Sequence, residues 1–130
     1  IGHVASQASG CLYCQAHTLL GAHNFGVSEE KLADVWQYST SPLFTEKEKL
    51  ALDFALAAAS QPNAVTNELF EHMKQHWTDG QIVEILGVVA MFGFLNRWND
   101  SMATPLEDVP NEIAVKTAGQ RTWNAGKHQR

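Results

Sequence analysis

Positive charge is scarce in this 130-residue chain. Nine lysines and arginines stand against fourteen aspartates and glutamates, a formal charge of −5, and the basic residues form no cluster. Without a basic stripe there is no electrostatic footprint for a phosphate backbone, so no nucleic-acid partner is expected. Long apolar runs are missing as well. The stretch from Ile85 to Phe94 is broken by Gly87 and Gly93 and falls short of the roughly 20 residues of a bilayer span, so no membrane partner is expected. No strand-like alternation persists beyond a few residues, and there is no internal repeat or low-complexity tract. Cysteine is nearly absent: two residues do not make a secreted disulfide framework, which points to a reducing, cytoplasmic setting. No signal peptide is visible. The chain opens on Ile1-Gly2-His3-Val4-Ala5, without Met or cap, as if inside a helix. Residues 1–130 are therefore expected to be a single domain lacking its N-terminal residues.

What is present reads as helix almost throughout. With 45% apolar residues and four tryptophans, one domain of this size can bury a core without metal or disulfide staples. Ile1 to Ala8 reads as the end of a helix stopped at Ser9-Gly10, glycine supplying the left-handed residue. A second helix starts at Cys11 and breaks at Asn24-Phe25-Gly26. Ser28 caps a third that carries Glu29 and Glu30 in its first turn and continues to about Tyr38. Thr45 to Glu48 and Thr78 to Gln81 match capping boxes, opening helices over Leu50 to Ala59 and Gln81 to about Met102. Between them a shorter helix runs from Thr66 to Trp77, with Leu69, Phe70 and Met73 on one face. Because 82–95 is apolar nearly all round, that helix is expected at the centre of the fold, with Met91, Phe92 and Phe94 in the core. Pro105 and Pro110 bracket a loop, and a last helix is expected from Asn111 to Trp123. The predicted class is all-α.

The two cysteines lie together in Cys11-Leu12-Tyr13-Cys14-Gln15-Ala16-His17. On a helix, positions three apart have Cα atoms about 5 Å from each other, within the range that a disulfide tolerates. Gly10 puts Cys11 at a helix N-terminus, where the dipole and unpaired N–H groups favour thiolate over thiol. Such placement brings a cysteine from about 8.5 into the range of roughly 3.5–7.5. His17 is one turn beyond Cys14 on the same face and can take its proton. The catalytic candidates are thus Cys11, Cys14 and His17. In the expected cycle Cys14 attacks a peroxide, Cys11 resolves the sulfenic acid to a disulfide, His17 handles the proton, and an external dithiol restores the pair. The dipole argument alone would instead make Cys11 the more acidic thiol.

The same residues admit other readings. Two cysteines one turn apart can be plain core. A zinc site from Cys11, Cys14, His17 and His23 would have an uncommon spacing, and one continuous helix does not wrap four ligands around an ion. His72 and His76 have metal-compatible spacing, but Glu68, Glu71, Lys74 and Gln75 mark a solvated face. Arg97 and Asp100 are expected to form an ion pair, and Trp77, Trp98 and Trp123 to anchor core or interface.

The run Ala5-Ser6-Gln7-Ala8-Ser9-Gly10-Cys11-Leu12-Tyr13-Cys14-Gln15-Ala16-His17-Thr18 resembles the signature of the AhpD-like alkylhydroperoxidases of the carboxymuconolactone decarboxylase superfamily. Phe92 to Asp100 and Trp123 to His128 resemble its peroxidase-related branch. The resemblance implies an AhpD-like helical bundle and a homo-oligomer with the C-x-x-C at a helix start. It further implies a small organic hydroperoxide as substrate, a dithiol or lipoyl-type reductant, no cofactor, and Cys14 as the peroxide-reacting thiol. His17 stands one residue closer to the second cysteine than the family histidine does, and the relay glutamate of the family would fall ahead of Ile1. Two alternatives remain open: a carboxymuconolactone-type decarboxylase, which needs no cysteine pair, and a non-enzymatic redox-sensing or zinc-binding module.

Overall fold

A computed structural model describes residues 1–118 and 122–129. Among these the chain is all-helical: α1 Gly2–Ser9, α2 Leu12–Asn24, α3 Glu29–Ala33, α4 Glu46–Ala59, α5 Asn67–His76, α6 Asp79–Met102 and α7 Asp108–Thr117, with 3-10 turns at Val35–Gln37 and Gly126–His128. Caps written in the sequence set most boundaries. Gly10, at φ 72°, ends α1 by turning its own N–H onto the Gln7 carbonyl and passing the Cys11 N–H to that of Ser6. Thr45 and Thr78 form complete capping boxes with Glu48 and Gln81, and Ser28 and Thr66 cap α3 and α5 through their hydroxyls.

Two helices differ from expectation in where they begin or end. The third ends at Ala33 instead of near Tyr38, because the Asp34 carboxylate accepts from Gln37 Nε2 at 2.8 Å and Ser41 Oγ at 2.7 Å, tying the chain into a tight turn. The last begins at Asp108, with Pro110 inside its first turn, where a missing N–H costs nothing. It ends at Thr117. Positions 119–121 of the expected helix lie outside the described residues, and Trp123 is non-helical, its indole N–H donating to Asn111 Oδ1 at 3.0 Å.

The most enclosed helix is α1. Its small residues let α2, α4 and α6 approach it together: Gly2, Val4, Ala5 and Ser6 are all buried. Ala5 meets Ala55 and Val89. Leu50, Phe54, Met73, Ile82 and Ile85 join α4, α5 and α6, while Ala16, Leu19, Leu32, Leu106, Ala114 and Ala125 join α2, α3, α7 and the C-terminal tail. The expectation for α6 is corrected. Only Ile82, Ile85, Val89 and Asn96, on one face, are buried. Around the rest of the helix Val83, Leu86, Met91, Phe94, Trp98 and Met102 are exposed, Phe94 at 63%. Met91 and Phe94 are therefore not core. Apolar composition says that a helix needs cover, and here the chain itself covers one face alone. At 24 residues α6 is also long and apolar enough to cross a membrane, which the shorter run 85–94 is not. Its inner face nevertheless belongs to the bundle core.

A paired substitution tests the hinge between α1 and α2. A Cβ at Gly10 or at Gly21 would meet nothing within 4 Å, but only Gly10 has a positive φ. Gly10→Ala is expected to cost about 1–2 kcal/mol, and Gly21→Ala, inside α2, to add about 0.5–1 kcal/mol. Urea unfolding midpoints of the two variants check the opposite signs.

Candidate active site

The left-handed turn at Gly10 delivers Cys11 as the N-cap of α2, in extended conformation at φ −80° and ψ 101°. Its sulfur faces the open end of the helix and accepts the Cys14 backbone N–H at 3.4 Å. Both thiols are free and buried. Their environments differ sharply. The hydrogen bond from the Cys14 thiol, helped by the Cys14 N–H and by His128, brings Cys11 down to about 7 against the cost of burial. The same hydrogen bond holds Cys14 protonated, and burial and the neighbouring Cys11 charge push it further up. Asn99 Nδ2 lies 3.8 Å from the Cys14 sulfur and opposes this weakly. One thiol of the pair is thus prepared to ionise and the other to remain a proton donor.

A second wall comes from the distant end of the chain. The tail is anchored where the Leu106 N–H donates to the His128 carbonyl at 2.8 Å. This seats the His128 ring, fully buried, over the start of α2. Nδ1 is 2.8 Å from the Thr104 carbonyl, which assigns the proton to that nitrogen. Nε2 is buried without a hydrogen-bond partner, 3.5 Å from Asp100 Oδ1. The other Asp100 oxygen accepts from Lys127 at 2.6 Å. The thiol of Cys11, the Asp100 carboxylate and the His128 ring place donor atoms within 4.8 Å of one another. Among the described residues this is the group compact enough to hold a cation; the quartet Cys11, Cys14, His17 and His23 is not such a group. His72 and His76 meet edge to face at 5.1 Å on exposed α5.

The expected Arg97–Asp100 pair is replaced: Arg97 Nη1 donates to its own helix at Gly93 O, 2.9 Å, and Asp100 turns to the tail. Sequence reasoning missed Asp100 and His128 as neighbours of Cys11. The available signal is the resemblance of two segments, Phe92 to Asp100 and Trp123 to His128, which end on these two residues but carry no role for them.

His17 takes a carboxylate partner. Its Nε2 lies 2.9 Å from Glu107 Oε2 in a half-exposed pair at the start of α7, and Tyr13 stacks at 4.3 Å and donates to the same carboxylate at 3.2 Å. His3 Nδ1 sits 3.0 Å from Thr18 Oγ1 and 3.2 Å from the Gln15 carbonyl, bracing α1 on α2. Thr18 itself donates to the Cys14 carbonyl at 2.9 Å. His17 and Thr18 also line a cavity of about 640 Å³, otherwise largely apolar, with Leu19, Phe44, Leu52 and Phe92 in its wall.

Comparison with known proteins agrees with this architecture. Residues 1–57 match the model of the Carboxymuconolactone decarboxylase family. Over 97 residues the chain is 28% identical to the uncharacterized protein YnjA of Escherichia coli (strain K12), 75% of this chain and 53% of that protein. Over 95 residues it is 23% identical to the uncharacterized protein YdfG of Bacillus subtilis (strain 168), 72% of this chain and 63% of that one. The crystal structure of apo debrominase Bmp8 matches with a TM-score of 0.84 at 30% identity, over 89% of this chain and 62% of that chain. A cysteine-to-alanine Bmp8 variant in complex with 2,3,4-tribromopyrrole gives the same TM-score at 29% identity. The chain spans a little over half to about three-fifths of the length of these relatives.

The two thiols are expected to titrate apart. Thiolate ultraviolet absorbance should show one step with a midpoint about 7 and a second only in strong alkali. Cys11→Ser should abolish the neutral step. Cys14→Ala should move it upward, since the main hydrogen bond that lowers Cys11 comes from Cys14. Two overlapping steps in the ordinary thiol range would refute the split.

Proposed function

We propose that this chain, whose residues 1–57 match the Carboxymuconolactone decarboxylase family, is a dithiol oxidoreductase that reduces small organic hydroperoxides by closing Cys11 and Cys14 into a disulfide. The observation that carries the reading is the asymmetry of the pair: an N-cap sulfur brought to about 7 beside a thiol kept protonated. That is the division of labour between an attacking thiolate and its resolving partner. The N-cap geometry favours Cys11 as the attacker, whereas the family resemblance gives that part to Cys14. We adopt Cys11.

In the proposed cycle the Cys11 thiolate attacks the terminal oxygen of the hydroperoxide. The O–O bond breaks, the alkoxide leaves with a proton as alcohol, and Cys11 becomes a sulfenic acid. The Cys14 thiol then attacks the Cys11 sulfur, and the departing hydroxide takes the Cys14 proton as water. An external dithiol, of lipoyl type, opens the disulfide by exchange and is itself oxidised. His17, held by Glu107 at the surface, exchanges the protons with solvent. The cycle uses no cofactor.

The debrominase likeness favours a second electrophile. Reductive removal of bromine from an aromatic ring takes two electrons, the number that a dithiol yields on closing, so the same pair could serve a bromoarene. We also propose that the exposed face of α6 is covered by a second copy of the chain, since six large apolar side chains there face solvent.

Steady-state consumption of cumene hydroperoxide with a dithiol reductant tests the cycle. Cys11→Ser should lower the rate by about 100-fold or more, and Cys14→Ser should stop at a sulfenic acid that dimedone labels on Cys11. Labelling on Cys14 in the Cys11→Ser chain, with the rate retained, would reverse the roles. Turnover of a lactone acid by the Cys11→Ser/Cys14→Ser chain would establish the decarboxylase alternative instead. Light scattering of the purified protein is expected to give an oligomer that Phe94→Glu/Trp98→Glu converts to monomer; a wild-type monomer would contradict the interface.

A further inference from the structure

Burying an imidazole nitrogen without a partner is costly, and proteins rarely tolerate it without a use. His128 Nε2 is such an atom. Its ring cannot simply turn away, because Nδ1–H is committed to the Thr104 carbonyl and the Tyr13 ring packs against it with centroids 5.8 Å apart. The bare nitrogen therefore points at Asp100 and at the Cys11 sulfur.

We infer that His128 is the base that takes the Cys11 proton, and that Asp100 is the carboxylate that holds the resulting imidazolium. This deepens the dithiol reading and rests on it. The proton moves from the Cys11 sulfur to His128 Nε2, leaving a thiolate and a ring whose two N–H groups face the Thr104 carbonyl and the Asp100 carboxylate. When the thiolate attacks a hydroperoxide, the same Nε2–H returns its proton to the departing alkoxide, and the ring is neutral again. No oxidant beyond the hydroperoxide is needed.

The surrounding charges suit the imidazolium, while Asp100 taken alone works against the Cys11 thiolate. Asp100, from α6, faces Nε2 and is balanced by Lys127, the residue before the histidine. Tyr13, from α2, faces the ring and sends its hydroxyl to Glu107, so that carboxylate is engaged elsewhere. Cys11 and Cys14 complete the set at the start of α2. His128 is thereby distinct from His17, whose ring is half-exposed and paired with Glu107. His17 faces solvent, and His128 faces the nucleophile.

The test is the pH profile of Cys11 alkylation by iodoacetamide in the full chain carrying Cys14→Ser, with and without His128→Gln. Glutamine retains an amide donor for the Thr104 carbonyl but cannot accept the thiol proton. The expected result is a rate about tenfold lower near pH 7, matching an upward shift of roughly one unit, with rates equal within about twofold at pH 10, where the thiol is ionised in either chain. Disturbed packing would change the rate at both ends, so His128→Asn is run in parallel and should show the same pH-confined loss. Equal rates near pH 7 in all three chains would overturn the inference. So would one zinc per chain with Cys11 shielded from alkylation, which would make the three side chains a metal site. Loss of thiols to cumene hydroperoxide is scored on the chain with both cysteines. Failure there sinks the peroxidase cycle alone, because the alkylation profile needs no peroxide.

Discussion

The rest of the site depends on one short contact, the Cys14 N–H lying 3.4 Å from the Cys11 sulfur. It exists because a single glycine turns the chain through left-handed space between two helices and leaves Cys11 outside the first turn of α2. An N-cap side chain works only if it can accept a hydrogen bond, and a sulfur in that position inherits the unpaired donors and the partial positive charge of the helix end. The second cysteine, one turn in, has no such support. This placement, together with the hydrogen bond between the two thiols and the nearby His128, turns a symmetric sequence motif into an asymmetric chemical pair.

A site of this kind must also be kept dry enough for the charges to matter and closed enough to be reproducible. The chain achieves this by returning its C-terminal tail across the start of α2. The bond from the Leu106 N–H to the His128 carbonyl and the contact between Lys127 and Asp100 hold the tail to the α6–α7 end of the bundle. Fold and site are joined there: the polar end of α6, with Asn96 donating to the Ala5 carbonyl and Asn99 beside Cys14, is buried or half-buried against α1 and α2. The apolar middle of the same helix presents its outer face to solvent.

Much of this was legible from the residues, and the division between legible and hidden has a physical basis. Gly10, Ser28, Thr45, Thr66 and Thr78 act on atoms a few positions away, so their work as stops and caps can be read locally. The C-x-x-C pair is equally local. The partners of Asp100 were not, because helical spacing proposes Arg97 while the fold brings in Lys127 and His128 from the tail. Helical spacing makes His17 a neighbour of Cys14, whereas its partner Glu107 comes from the start of a different helix. For α6, hydrophobicity announced a helix in need of cover but was silent on whether that cover lies in the same chain.

The central claim is that Cys11 and Cys14 form one two-electron couple. Intact mass of the purified chain before and after one equivalent of organic hydroperoxide tests it most directly. The account predicts the loss of two hydrogens, restored by an added dithiol, with both cysteines joined in one peptide. An unchanged mass, or added oxygen located on methionine with both thiols intact, would contradict it.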